Sequence, residues 1–414
     1  MRKVVVKVLC VDFSKSIDMN EEEIIKFVVK KEVDSSDVSA SNYTSQLNIP
    51  GAVKIWLCIG IFMVFMQVVI GGITRLTGSG LSITKWEIVT GTLPPLSAAE
   101  WEHEFELYKQ TPQYDIINFD MEMGSIFQEG TFKFIYFWEY LHRLWARSMG
   151  FVFAIPFFIF WRRGMLSKTL MKDLGIVILL AMVVASMGWI MVASGLIDRP
   201  WVNGYKLTMH LSLAFILASY LLWTTFKVFQ PSPKVINNSM LRKVIMAFLV
   251  VLSVQIIFGG LMSGMKAGLQ YPTWPDMNGK VVPAVVLDGD QWNVDNLVSY
   301  DTNGFTPAIV QVVHRTSAYL LILIGFWYFF LAQKVKDYGL FQRANIMWIT
   351  MLVIQILLGI FTVINCRGSI PVGLGVMHQG GALLLLGCTL FCVYLLYKSP
   401  FENSVSNHVG NVNN

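Results

Sequence analysis

Charge is scarce in this chain. Asp, Glu, Lys and Arg make up 14% of its 414 residues, against 54% apolar. A soluble domain carries roughly a quarter charged residues to cover its surface, so a water-soluble globule is excluded. Cysteine is scarce as well. The five cysteines, Cys10, Cys58, Cys366, Cys388 and Cys392, form no C-x-x-C pair, which argues against a disulfide framework and against a thiolate zinc site. Cys388 and Cys392 stand one helical turn apart in an apolar run and read as packed side chains. No apolar segment followed by a cleavage site heads the chain. The acidic run Glu21, Glu22, Glu23 beside Lys26, Lys30 and Lys31 also argues against an organelle transit peptide. Nor is there a basic stripe interleaved with aromatics, so the formal net charge of +5 does not point to nucleic acid as a partner. Residues 1–51 read as a charged, flexible tail.

Long apolar runs are present in their place. Several reach about 20 residues, enough to cross a hydrocarbon core of about 30 Å. Eight spans are expected, near 52–73, 133–160, 173–194, 205–228, 243–263, 306–332, 344–364 and 372–397. Three short connections are basic: Arg162, Arg163, Lys168 and Lys172; Lys227, Lys234, Arg242 and Lys243; Lys334, Lys336 and Arg343. Short loops rich in Lys and Arg stay cytoplasmic. The two long connections, 74–132 and 264–305, are rich in acids and should face outward. Both termini then lie in the cytoplasm, and the chain is a multi-pass protein of the cell (inner) membrane, with the lipid bilayer as its solvent.

The spans repeat. Gly71-Gly72 ends the first and Gly259-Gly260 the fifth. His142-Arg143 lies in the second and His314-Arg315 in the sixth. Met209-His210 opens the fourth and Met377-His378 the eighth. Four helices per repeat keep both halves in one orientation, as parallel repeats about an axis along the membrane normal. The expected fold is therefore an all-α integral membrane protein, its eight transmembrane helices arranged as two tandem four-helix bundles. The halves run 52–229 and 230–398, flanked by the tails 1–51 and 399–414.

Of six histidines, His103 and His408 lie outside the spans. His142, His210, His314 and His378 lie inside, all near the outer face. An ionisable side chain in a span is costly and marks function. One histidine can serve as polar glue between helices; four at one depth in a two-fold repeat point elsewhere. Haem iron takes two axial imidazoles from facing helices, and bundle interiors hold such cofactors. Two sites follow: His142 with His210, and His314 with His378. Zinc wants three or four clustered ligands, and a di-iron site wants two E-x-x-H motifs, of which the spans hold one, Glu139 to His142. Arg143 and Arg315 each follow a histidine. A guanidinium there pairs well with a haem propionate and equally well reaches the headgroup layer.

Glu139 shares a helix face with His142, and the equivalent position in the second half is Gln311. One half thus holds an acid beside its haem and the other an amide, as expected if one half does chemistry and the other carries electrons. A headgroup-level carboxylate is the alternative for Glu139.

The segments GGITRLTGSGLSITKW (71–86), PPLSAAEWEHEFELYKQTPQY (94–114), FKFIYFWEYLHRLWARSMG (132–150), SGLIDRP (194–200), MHLSLAF (209–215), VHRTSAYL (313–320) and MHQGGALLLL (377–386) closely resemble the haem A synthase family. The likeness covers about 52–398. Lacking an outer-loop cysteine pair, the chain looks like the branch of mitochondria and many Gram-negative bacteria. The resemblance implies oxidation of a ring methyl of haem O to a formyl, giving haem A for cytochrome oxidase. It implies haem b as cofactor on His314 and His378, haem O between His142 and His210, and Glu139 as catalytic carboxylate. A haem O synthase would supply the substrate, and an electron partner is required. The resemblance neither requires nor excludes a homo-oligomer. A dihaem b-type electron-transfer cytochrome is the rival reading. Against it stand Glu139 opposite Gln311, and two haems near one face instead of one at each depth. A transporter built from parallel repeats is a third, and neither broken helices nor midplane carboxylates support it.

Overall fold

Three of the spans begin in a polar, charged first turn a few residues outside the apolar run. The computed structural model describes residues 49–85, 93–197, 200–230, 236–336 and 338–396. The expected tails, with Cys10 and His408, lie outside the described residues, as do Trp86, Asp198, Arg199 and Lys234. Eight described helices are long and apolar enough to cross a membrane: α1 Gly51–Leu76, α2 Phe132–Arg162, α3 Lys168–Gly195, α4 Gly204–Phe229, α5 Ser239–Gly264, α6 Phe305–Ala332, α7 Gly339–Ile364 and α8 Val372–Leu396. Even α8, with 25 residues, is ~38 Å long at the α-helical rise. Helices α3, α5 and α7 start four or five residues before the expected limits. Their first turns carry Lys168, Lys172, Arg242, Lys243 and Arg343, which a hydropathy reading clips. The backbone is nonetheless helical there, and Ser167 and Asn238 cap α3 and α5 by accepting from Leu170 N–H and Leu241 N–H. An N-cap oxygen supplies a partner for one of the orphan N–H groups at a helix start. Among the described residues there is no strand.

Helices α1, α4, α5 and α8 pack on one another at the centre. Each carries one outer helix: α2 on α1, α3 on α4, α6 on α5 and α7 on α8. The two sets of four helices therefore meet through α1–α8, α4–α5 and α4–α8. On α8, Leu385, Cys392, Leu395 and Leu396 are essentially unexposed, whereas the outer helices turn Phe151, Phe158, Leu179, Leu323 and Phe330 outward. Such a surface invites aggregation in water and is the expected face toward lipid.

The paired glycines explain the close approach. The second of each pair faces the other half: a Cβ on Gly72 would stand 3.1 Å from Gln379 Nε2 of α8, and one on Gly260 3.1 Å from Thr208 of α4. Gly264 and Gly204 bring the end of α5 against the start of α4 so closely that a Cβ on Gly264 would lie 2.6 Å from Gly204 Cα. Small residues let helix backbones touch where hydrophobic drive between helices is absent.

The chain leaves α1 and α5 by the same turn. Gly78 (φ 70°) and Lys266 (φ 51°) are both left-handed, at matching distances from Gly71 and Gly259. In the first long loop, helices Ala98–Lys109 and Pro112–Ile117 dock on the start of α2 through Phe105, Tyr108, Phe132 and Tyr136. Asn118 donates to Tyr108 Oη (2.6 Å), Tyr108 donates to Gln113 Oε1 (3.3 Å), and Gln113 Nε2 donates to Gly78 O (2.8 Å). Burial pushes the Tyr108 phenol up to about 12, so this relay is neutral at ordinary pH.

Candidate functional site

Each intramembrane histidine lies against a glycine of the preceding helix. A Cβ on Gly71 would come 2.8 Å from His142 Cε1, on Gly188 2.9 Å from His210 Cε1, on Gly259 3.4 Å from His314 Cε1, and on Gly359 2.9 Å from His378 Cε1. Four glycines thus open room for four imidazoles, and the first glycine of each pair faces its own half's histidine. One turn before each glycine stands the ring's polar partner. Gln67 Nε2 lies 3.3 Å from His142 Nε2, Gln255 Nε2 3.2 Å from His314 Nε2, and Gln355 Nε2 3.1 Å from His378 Nδ1. In the fourth case the partner is backbone: His210 Nδ1 lies 3.0 Å from Val184 O. The Q-x-x-x-G spacing of Gln67-Gly71, Gln255-Gly259 and Gln355-Gly359 was open to reading in the sequence. A single glutamine in an apolar run carries no signal; only its recurrence before a glycine does.

The second half pairs its histidines. The His314 and His378 rings are 6.4 Å apart, centroid to centroid, and nearly perpendicular. That is about the spacing of two imidazoles sharing one metal ion at roughly 2 Å from each nitrogen. Both line a largely apolar cavity of about 250 Å³ between α5, α6, α7 and α8, together with Arg315 and Trp274. His142 and His210 lie within electrostatic reach of each other in the first half. His142 Nδ1 and His314 Nδ1 are buried without a hydrogen-bond partner. A buried unpartnered nitrogen calls for a ligand; on the other ring nitrogen His142 and His314 meet an amide donor, Gln67 Nε2 and Gln255 Nε2, and His210 meets the acceptor Val184 O that is usual beside a metal-bound imidazole. The donor set, the glycine clefts and the ring spacing fit a haem iron. Among the described residues no three His, Cys, Asp or Glu side chains converge on a metal position, so the zinc and di-iron readings find no ligand cluster there. His103 is exposed on a loop helix.

Glu139 is buried, 3% exposed. Its Oε2 accepts from Ser82 Oγ (2.8 Å) and Ile83 N–H (2.9 Å), and its Oε1 lies 2.6 Å from Arg143 Nη2. Arg143 also donates to Ile83 O and Lys85 O. The second half repeats this clasp without the acid: Gln311 Nε2 donates to Tyr271 O (2.9 Å), and Arg315 donates to Tyr271 O (2.8 Å) and Asp276 O (2.7 Å). Both arginines, read as partners of propionates or of the headgroup layer, hold loop carbonyls. Glu139 meets the same loop instead of the His142 ring. The second-half arginine reaches the W-P-D-M segment at 274–277. Arg315 ties it down, and its Trp274 lies over the cavity that holds His314 and His378.

Cys366 is buried, donating to Thr362 O at 3.2 Å, and burial raises its thiol. Cys388 and Cys392 are free within the described helices.

A family model described as "Cytochrome oxidase assembly protein" (COX15-CtaA) matches residues 54–390. The chain is 37% identical over 333 residues to a "Heme A synthase" of Sinorhizobium medicae, covering 80% of this chain and 86% of that one. It is 37% identical over 351 residues to a protein of the same name from Flavobacterium johnsoniae, covering 84% and 98%. A third, from Rhodospirillum centenum, is 38% identical over 352 residues, covering 84% and 89%.

Proposed function

The chain belongs to the COX15-CtaA family of cytochrome oxidase assembly proteins, and on that footing we propose that it is a haem A synthase. It oxidises the ring methyl of haem O to a formyl group, making haem A for cytochrome oxidase. The observation that carries this reading is the pair of matched histidine sites that differ in one ionisable group, Glu139 in the first half and Gln311 in the second.

In this reading haem O binds in the first half, residues 52–229, between His142 and His210. His314 and His378 of the second half, 230–398, hold haem b. That cofactor supplies one-electron redox chemistry beside the substrate. The protein's own part is positioning and electrostatics. The glycine clefts admit the four rings, and the ring partners on α1, α3, α5 and α7 fix their rotation. Glu139 is the catalytic carboxylate, one turn from His142. Ser82 Oγ and Ile83 N–H donate to it and Arg143 pairs with it, so an acidic side chain stands at the mouth of the substrate half and an amide at the mouth of the other. Propionates reaching that mouth would find Arg143 and Arg315 already ordered by loop carbonyls. The basic short loops face the cytoplasm and the long loops face outward. A haem O synthase in the same bilayer supplies the substrate, and a redox partner takes up the electrons.

The test is extraction and chromatography of haems from protein purified out of cells that make haem O. Haem B together with haem O or haem A supports the reading. Haem B alone, in two equivalent sites, overturns it in favour of a dihaem electron-transfer cytochrome.

A further inference from the structure

The two halves differ on the cytoplasmic side of their histidines. In the second half α6 packs against α7, whereas their counterparts α2 and α3 make no such packing contact in the first. Counted from the matched glycines and histidines, Phe248, Tyr328, Trp348 and Leu352 correspond to Gly60, Pro156, Val177 and Ala181. None of the four second-half residues is more than 2% exposed. Trp348 meets Phe248 and Tyr328 edge to face, at 4.8 and 5.0 Å between ring centroids. Its indole N–H donates to Thr389 Oγ1 at 2.9 Å. Leu352 closes on Gly325 so tightly that a Cβ there would stand 2.5 Å from it. The cavity that holds His314 and His378 meets this plug at Leu352, beside Leu252, Leu321 and Leu385.

The first half puts its rings elsewhere. Trp56 and Phe153 stand where the second half has Val244 and Gly325. They pack on each other at 4.9 Å, and Trp56 Nε1 donates to Val152 O at 2.9 Å, so both rings serve the α1–α2 seam. The α2–α3 seam keeps the small side chains. Ala181 is exposed, and a Cβ on Gly60 would meet nothing nearer than Leu221 at 3.7 Å. This seam continues the space under His142, whose Nδ1 is buried without a hydrogen-bond partner.

We propose that the α2–α3 seam is a slot, open to the bilayer, for the isoprenoid chain of the substrate haem, and that the plug of Phe248, Tyr328, Trp348 and Leu352 bars that chain from the second half. The proposal rests on the synthase reading above and adds to it the side chains that sort tailed from tailless haem. Haem O carries a long farnesyl-derived chain that haem B lacks. The chain leaves the porphyrin edge opposite the two propionates. With propionates at the outer mouth, it points toward the cytoplasmic side. Ala181 and Leu352 each stand seven residues before the glycine beside a histidine, Gly188 and Gly359, and so ~10 Å below it along the helix. That is the level at which the chain leaves the macrocycle. Lipid is as apolar as the slot, so the slot gains little by attraction. Selection is by exclusion, because the chain has room in one half and would overpack a filled core in the other. An open seam also lets the chain stay in the bilayer while the macrocycle slides in sideways to its ligands.

Full-length protein from cells that make haem B but no haem O is placed in lipid nanodiscs. Haem O, further haem B, or neither is added, and binding is followed by absorbance. A lipid-soluble aryl diazirine then labels side chains open to the bilayer, and the label is mapped by peptide mass. Without added haem, residues 177–184 of α3 should label well. Bound haem O should remove most of that label, and haem B should leave it. The swap Val177→Trp with Ala181→Leu gives α3 the pair that α7 carries. It should lower the affinity of the first half for haem O relative to haem B at least about tenfold. The reverse swap, Trp348→Val with Leu352→Ala, should let haem O into the site of His314 and His378, seen as a second haem O per protein. A seam unlabelled before loading, as under a second copy of the chain, overturns the proposal. So do label unchanged by bound haem O and swaps that leave both preferences as they were. The wild-type labelling decides the matter even where a swapped protein does not fold. Bound haem O that fails to protect α3 sinks this proposal alone, whereas failure of the first half to bind haem O at all sinks the synthase reading itself.

Discussion

Arg75 Nη2 donates to Ser263 O at 2.8 Å and reaches Gly264 O at 3.1 Å. The two residues occupy matching places in the repeat, each four residues past the first glycine of its pair. The side chain of one half thus caps the central helix of the other, where the last carbonyls of α5 lack intrahelical partners. Charge-assisted bonds of this kind are worth about 1.5–3 kcal/mol. Arg75→Leu should lower stability by about that amount, with both haem sites destabilised together because α1 and α5 separate. Arg75→Lys should recover part of it. Thermal unfolding in detergent, followed by haem absorbance, measures the effect. A loss confined to one haem would contradict an inter-half role.

Glu139→Gln gives the first half the amide that the second half carries at Gln311. The amide oxygen can still accept from Ser82 and Ile83, so the clasp on the loop survives while the charge opposite Arg143 is lost. The expected result is a folded protein that keeps haem B, accumulates haem O or a partly oxidised form, and makes haem A at least about a hundredfold more slowly, the lower range for a proton-handling side chain. Haem chromatography reads all three. Full haem A production by the variant would leave Glu139 a loop anchor and nothing more.

The spans, their repeat and the four histidines were legible because each is a local signal: an apolar run of membrane length, a glycine pair, a costly imidazole in an apolar helix. The partners of those residues were less legible. Arg143 and Arg315 read either as guanidiniums for haem propionates or as side chains reaching the headgroup layer, and nothing in their own segments says that the carbonyls of Ile83, Lys85, Tyr271 and Asp276 come to them. Loop backbone is placed by tertiary folding, and hydropathy is silent about it. The glutamines before the glycines lay between these extremes. Gln67, Gln255 and Gln355 are visible as polar residues in apolar runs, but their meaning appears only once the following helix brings its histidine alongside.

The tethered loop over the second half should be acid-sensitive. Hydrogen bonds from Thr273 Oγ1 and Gly279 N–H, with Arg315 nearby, hold the Asp276 carboxyl below its ordinary 3.8. A carboxyl depressed in the folded state stabilises that state above its unfolded pKa. The contribution fades as pH falls through 3.8 toward the folded value. The protection of amides across residues 270–280, relative to their intrinsic exchange rate at each pH, should therefore fall below about pH 4 and stay flat from pH 5 to 8. Asp276→Asn should exchange faster at neutral pH and lose that acid dependence. An unchanged profile in the variant would assign the transition to other carboxylates.

The histidine clefts make a graded prediction, because a methyl group meets the four rings at different distances. At Gly71, Gly188 and Gly359 an added Cβ would stand 2.8–2.9 Å from imidazole carbon, closer than carbon atoms tolerate, with the ring hemmed in by a partner one turn away. At Gly259 the same atom would stand 3.4 Å away, near ordinary contact. Overpacking of this kind costs about 1–3 kcal/mol, and here the strain falls on a proposed iron ligand. Gly71→Ala and Gly188→Ala should strip the haem of the first half and spare that of the second. Gly359→Ala should do the reverse, and Gly259→Ala should leave both in place. Haem content per protein, by absorbance and by extracted haem type, distinguishes these patterns. The decisive comparison is Gly259 against Gly359. They flank two ligands of one proposed haem, so a difference between them reports ring clearance and not the general cost of a methyl group in a span. Equal haem loss from both variants would mean that helix packing, and not clearance for the imidazoles, is what these glycines provide.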